Sequence, residues 1–250
     1  MKTSSLFLIA ASIICLYSCA HKSGRSKDRA ISNRPAQHSA RISSENRAKN
    51  TTISTKSNHK NRYKLDGTKI FAQYNTAVFM IFTSDGYNTH QGSGFFINKD
   101  GLAVSNYHVF KGTGIGKESI KLAGSNMIYK VVEVIESSDK EDFILFRVDI
   151  SNTNFIPVAK QKPNIGEKVY AIGSPHGLEN TFSSGEISQW RDKNLMQITT
   201  LIDHGSSGGA LINEYGEVVG ITSGSFVDGS QANLNYAWSI EVVKPYVKWE

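Results

Sequence analysis

A serine hydroxyl is a weak nucleophile at neutral pH until an adjacent base takes its proton. Three short strings of this 250-residue chain carry the residue types that such chemistry needs. Ser105-Asn106-Tyr107-His108-Val109 follows an apolar run, and Glu141-Asp142-Phe143-Ile144-Leu145 opens another. Gly205-Ser206-Ser207-Gly208-Gly209-Ala210 leads into Leu211-Ile212. Histidine suits the base because imidazoles titrate near neutral pH. An aspartate behind the ring fixes its tautomer and stabilises the imidazolium that forms. The candidates are therefore His108 as base, Asp142 as its orienting partner and Ser207 as nucleophile. Gly205 lets the backbone turn so that two amide hydrogens point at one spot, an oxyanion hole built from Gly205, Ser206 and Ser207. Attack is assigned to Ser207 rather than Ser206 because only Ser207 is placed to use both amides. Taken singly these strings are weak signals. Their conjunction, in the order His, Asp, Ser, is one of the orders in which such triads are built.

The elements that must position these residues read as short strands. Apolar runs at Ala77–Phe82, Phe95–Ile97, Leu102–Val104, Val131–Ile135 and Phe143–Val148 are separated by turn residues such as Asn98-Lys99-Asp100-Gly101, which predicts a hairpin. More follow at Lys168–Ile172, Met196–Ile198, Ala210–Ile212, Glu217–Ile221 and Asn235–Trp238. Short strands with frequent glycine turns and almost no helical period predict an all-β sandwich or barrel. Only Ile240–Trp249 reads as a closing helix, made irregular by Pro245.

From about Ala77 to Lys244 the chain resembles the HtrA/Deg branch of the trypsin-like serine proteases. The resemblance rests on Gly92-Ser93-Gly94-Phe95-Phe96-Ile97 leading to His108, on Asp142–Val148, on Gly166–Pro175 with Gly177-Leu178 and Ser184-Gly185, and on Asn235-Tyr236-Ala237 before Ile240. It implies a trypsin-like double six-stranded β-barrel with a short C-terminal helix, barrel one over about 70–155 and barrel two over about 156–240. It further implies a serine endopeptidase acting on protein or peptide substrates, and by analogy a homotrimer with Phe71 and Tyr74 as candidate contacts. By the same analogy Leu201, Ile202, Thr222, Ser223, Gly224 and Phe226 surround the specificity pocket. No acidic residue is expected on its floor, so a small or medium aliphatic side chain is favoured over Lys or Arg. The sequence departs from the family at Ser206, Ala210 and Asp203-His204. With Glu250 closing the sequence soon after the resemblance ends, the family's PDZ domain is not expected.

The first residues read as an export signal. Lys2 precedes an apolar stretch, Leu6–Tyr17, too short to span a bilayer comfortably. Leu16-Tyr17-Ser18-Cys19 resembles the bacterial lipobox, which makes 1–18 the signal peptide, Cys19 the lipidated residue and the cell envelope the expected location, on a membrane through that anchor. Residues 20–64 carry a net charge of +10 and almost no large aliphatics, so 19–64 is expected to be a disordered basic linker ahead of a protease domain at 65–250. The high pI belongs to that segment. The remainder after it carries −5, which argues against a nucleic-acid partner.

Both cysteines, Cys15 and Cys19, lie in the first 19 residues, so neither disulfides nor Cys-ligated metals support the domain. His90 and His204 with Asp85 or Asp203 lack metal-ligand spacing, and no metal or cofactor is expected. Two other functions compete with the endopeptidase: a catalytically weak protein-binding or chaperone-like module of the same fold, and an esterase. The esterase would place its serine elbow on a parallel α/β sheet, which this strand pattern does not supply.

Overall fold

The computed structural model of the chain describes residues 63–226 and 234–248. Cys19, the signal and nearly all of the basic segment lie outside the described residues. The described chain enters with Leu65 N–H donating to Glu214 O (2.7 Å) and Lys64 paired with Glu214. A helix that the strand pattern does not announce follows, α1 (Gly67–Tyr74). It is capped by Asp66, whose Oδ1 accepts from Lys69 N (2.9 Å). Ile70 and Tyr74, four apart and so on one face, are buried. Phe71 packs edge-on against Phe182. Both aromatics proposed as trimer contacts are thus engaged within the protomer.

Seven antiparallel strands make the first sheet: β1 (Val78–Ser84), β2 (Thr89–Phe96), β3 (Leu102–Ser105), β4 (Ser119–Leu122), β5 (Ile128–Tyr129), β6 (Val131–Ser138) and β7 (Phe143–Val148), in the order β5-β4-β1-β2-β3-β7-β6. A one-turn helix, α2 (Tyr107–Phe110), follows β3 and carries His108. The second sheet closes on itself: β8 (Lys168–Gly173), β9 (Thr181–Trp190), β10 (Leu195–Ile198), β11 (Ala210–Asn213), β12 (Val218–Phe226) and β13 (Leu234–Ser239), in the order β10-β13-β12-β11-β8-β9. The double-barrel architecture is as expected. The first sheet, however, has seven strands rather than six, because the stretch 128–138 is interrupted at Lys130: Ile128–Tyr129 pairs with β4, and Val131–Ser138 pairs with β7.

Period-two alternation explains why many strands read as unbroken apolar runs. Phe79, Ile81, Phe96, Ile144 and Phe146 fill the first barrel, while Val169, Ala171, Ile187, Met196 and Leu211 fill the second. Their neighbours on the opposite faces, Val78, Phe95, Val104, Leu145, Tyr170, Ile172, Ala210 and Ile212, form a third buried cluster where the barrels meet. Every strand of this interface is covered on both sides, so its sequence cannot alternate. The expected closing helix is instead two 3₁₀ turns, Ile240–Val242 and Lys244–Tyr246. Pro245 has no N–H to donate one turn back, which stops an α-helical ladder there.

Candidate active site

The cleft between the barrels gathers side chains from six segments. From the first barrel come α2, bearing His108, and the turn into β7, bearing Asp142. His108 Nδ1 lies 3.0 and 2.9 Å from the two Asp142 carboxylate oxygens, and His108 N–H donates to Oδ1 (3.0 Å). Asp142 sits at φ 44°, in the left-handed region that few non-glycine residues adopt. Its carbonyl is held there by buried Asn106, whose Nδ2 donates to it (2.8 Å). Ser223 Oγ donates to Asp142 Oδ2 (2.8 Å), so the carboxylate is oriented from both barrels.

Ser207 reaches this cleft from the turn between β10 and β11. Its Oγ donates to Ser223 O (2.9 Å), and no hydrogen bond joins it to His108 among the described residues. His108, Ser207, Gly205, Gln91, His90, His176 and His204 line one opening of about 380 Å³. Among the described residues no three His, Cys, Asp or Glu side chains are grouped so as to hold a metal ion.

The nucleophile turn distributes its amides unevenly. His204 N–H donates to Asp203 Oδ1 (2.7 Å), Ser206 N–H to Asp203 O (2.9 Å), Gly208 N–H to Thr222 O (2.7 Å) and Gly209 N–H to Ser206 O (2.9 Å). Of the amides from 204 to 209, those of Gly205 and Ser207 find no acceptor among the described residues. Two unsatisfied donors one residue apart, beside a serine hydroxyl, are what an oxyanion hole requires. Ser206 therefore leaves the expected set of three, since its amide closes the turn instead of facing the cleft. Gly205 adopts φ 96°, and a Cβ there would fall on Gln91 Oε1 and lie 2.8 Å from Ser174 O. The position admits only glycine.

The expected specificity residues separate. Leu201, Ile202 and Thr222 line a cavity of about 550 Å³ beside the nucleophile turn, with Phe182, Pro175 and Leu178 completing an apolar wall. Ser223 and Gly224 do not line it. Ser223 is the extra residue where the register of β12 against β13 shifts between Thr222 and Gly224, and its hydroxyl donates to Asp142. The side chain of Phe226 lies outside the described residues. One acidic group, Asp203, borders the cavity, at the position where the sequence departs from the family. Its carboxylate is already engaged by His204 N–H and by His176 Nε2 (3.0 Å). Those bonds, the backbone one first, hold the Asp203 carboxyl below the ordinary carboxylate value.

Sequence patterns also passed over Gln91, Ser93 and Asn106. Ser93 N–H donates to Ser207 O (2.8 Å), and Ser93 Oγ donates to Gly205 O (2.7 Å). Ser93 and Asn106 lie inside strings quoted for their neighbours, and Gln91 stands just ahead of the first of them on β2.

Two barrels with a His–Asp pair on one and a serine between glycines on the other define the trypsin-like peptidase class. A family model described as a trypsin-like peptidase domain matches residues 92–221, and the chain belongs to that family. It is similar to the mitochondrial serine protease HTRA2 of Drosophila ananassae, 29% identical over 185 residues that cover 69% of this chain and 42% of that one. It is also similar to serine protease HTRA1A of Danio rerio, 32% identical over 157 residues, 58% of this chain and 32% of the relative. Among solved structures, the serine endoprotease from Yersinia pestis superposes with a TM-score of 0.65 at 25% identity, covering 73% of this chain and 65% of that one. The matched part of the chain spans 42% and 32% of the lengths of the two serine protease relatives.

Proposed function

We propose that the chain is a serine endopeptidase that cleaves unfolded or damaged proteins of the cell envelope, held there by a lipid on Cys19. The observation that carries the enzymatic part is the conjunction of the Ser223–Asp142–His108 hydrogen-bond chain with two unsatisfied amides flanking Ser206. In this scheme a change of χ1 takes the Ser207 hydroxyl off Ser223 O and toward His108 Nε2, which accepts its proton as Oγ attacks the scissile carbonyl. The oxyanion is met by Gly205 and Ser207 N–H. His108 then protonates the leaving amine, and water repeats the sequence on the acyl-enzyme. The apolar cavity beside Leu201 and Ile202 favours an aliphatic side chain ahead of the cut. Mass-spectrometric cleavage profiling of a denatured envelope proteome tests this. New termini following aliphatic residues, absent with Ser207→Ala, are expected, and an unchanged proteome would sink the proposal. In cells, Cys19→Ser should move the protein from the membrane to the soluble fraction, whereas full retention at high salt would remove the lipid anchor.

A second reading, a protein-binding module with little catalysis, is favoured by one observation: Ser207 Oγ is bonded to Ser223 O and not to His108. The same profiling separates the two, since that module would protect substrates without cutting them.

A further inference from the structure

Gln91 has no place in the scheme above, yet its carboxamide is bonded at both ends. It stands on β2, part-buried, and Nε2 donates to Ser174 O (2.7 Å) and Gly92 O (3.1 Å), with a longer contact to Gly205 O (3.4 Å). Oε1 accepts from Gly177 N–H (3.0 Å). Ser174 and Gly177 bracket a tight turn in which His176 sits at φ 52°, ψ 27°. A non-glycine residue there persists only when its surroundings over-determine it. Gln91 grips this turn at its first carbonyl and its last amide. Ser93, two residues along and on the same face of β2, binds the same partners, accepting from Ser174 N–H (2.9 Å) while donating to Gly205 O.

The turn bears on the cleft because His176 N–H donates to His204 O (2.8 Å). The His204 carbonyl and the Gly205 N–H belong to one planar trans peptide and point in opposite directions. Fixing that carbonyl on the His176 side turns the Gly205 N–H away from it, where it has no protein acceptor. A turn released from Gln91 would let the 204–205 peptide rotate, and the hole would lose one of its two donors.

We propose that Gln91 is a positioning residue for the oxyanion hole, acting from the first barrel through the Ser174–Gly177 turn on the Gly205 N–H. This rests on the assignment of Ser207 as nucleophile. The test is steady-state kinetics on a peptide substrate for Gln91→Ala and Gln91→Glu, with the affinity of a peptide boronate as a tetrahedral mimic. Loss of a whole donor costs about 10²–10³ in turnover, so a loosened one should cost about 10–100-fold in kcat, with KM within about threefold. Boronate affinity should fall in parallel, while a product-like peptide binds as before. Gln91→Glu keeps the volume and the acceptor for Gly177, but sets a carboxylate against two carbonyl oxygens. It should lose at least as much as Gln91→Ala while remaining folded. Retained kcat in both variants, a loss confined to KM, or unchanged boronate affinity would overturn the proposal. Ser207→Ala run alongside separates the two failures. Turnover surviving in Ser207→Ala removes the nucleophile assignment and this proposal with it; a dead Ser207→Ala beside fully active Gln91 variants removes the positioning role alone.

Discussion

The His108 ring is held by one carboxylate, and Asp142 is itself held at three points: Asn106 Nδ2 on its backbone carbonyl, His108 N–H on Oδ1 and Ser223 Oγ on Oδ2. The order of importance at this scale follows from charge. Asp142 balances the imidazolium, so Asp142→Asn should lower kcat by about four orders of magnitude with little change in KM. Ser223 supplies one hydrogen bond to a charged acceptor, worth about 1.5–3 kcal/mol, so Ser223→Ala should lower kcat about 10–100-fold. Steady-state kinetics on a peptide substrate measures both. If the Ser223→Ala defect appeared in KM alone, Ser223 would belong to the substrate pocket, where the family analogy placed it, and not to the carboxylate. His108, Asp142 and Ser207 stood out as candidates because each sits in a local string of distinctive composition, and the fold brings them to one cleft. Ser223 was expected in the specificity pocket, and its hydroxyl is bonded to Asp142 instead, because a shift of register in β12 sets its direction and no local string announces one.

At the scale of elements, the nucleophile turn and the Ser174–Gly177 turn are tied together twice, by His176 N–H on His204 O and by His176 Nε2 on Asp203. The Asp203 carboxyl is held below the ordinary carboxylate value, first by the His204 N–H and then by His176. A lowered folded-state value means that the ionised form stabilises the fold, fully above the ordinary carboxylate value and progressively less as pH falls through the lowered one. Asp203→Asn should therefore melt earlier than the parent protein at pH 7, and the gap should close as the pH is taken toward 3. A gap that is constant with pH would show that the carboxylate's charge contributes nothing. Close packing binds the turn from the other side, where a Cβ on Gly208, at φ 87°, would strike Ser93 O and Ser105 Oγ of the first barrel. The strands that carry these turns were readable wherever an apolar run was bounded by glycine or Asn-Asp clusters. Helix α1 was not, because a single buried pair, Ile70 and Tyr74, is too short a period to register. Strand β9 also escaped, since its exposed and half-buried polar residues, Ser183, Ser184, Glu186 and Ser188, outnumber its buried ones.

Across the whole molecule, the site exists only where the two barrels meet. His108, Asp142 and Gln91 come from the first, and Ser207, Gly205 and Ser223 from the second. The shared apolar layer of Val104, Leu145, Ile172 and Ala210 sets their separation. That layer explains why conjunction carried more weight than any single string. Residues 34 and 65 positions apart along the chain, His108 to Asp142 and Asp142 to Ser207, share one cleft only if both barrels form. It also explains what no string could announce: Gln91 and Ser93 are ordinary polar residues of a strand until the second barrel is placed against them. In the proposed function this cleft makes Ser207 nucleophilic. The most direct measurement of that is reaction of the folded protein with a fluorophosphonate probe, followed by mass-spectrometric mapping of the modified residue. One modified site is expected, Ser207, retained in Ser206→Ala and lost in both Ser207→Ala and His108→Ala. Modification at Ser206, or a folded protein that takes up no probe, would contradict it.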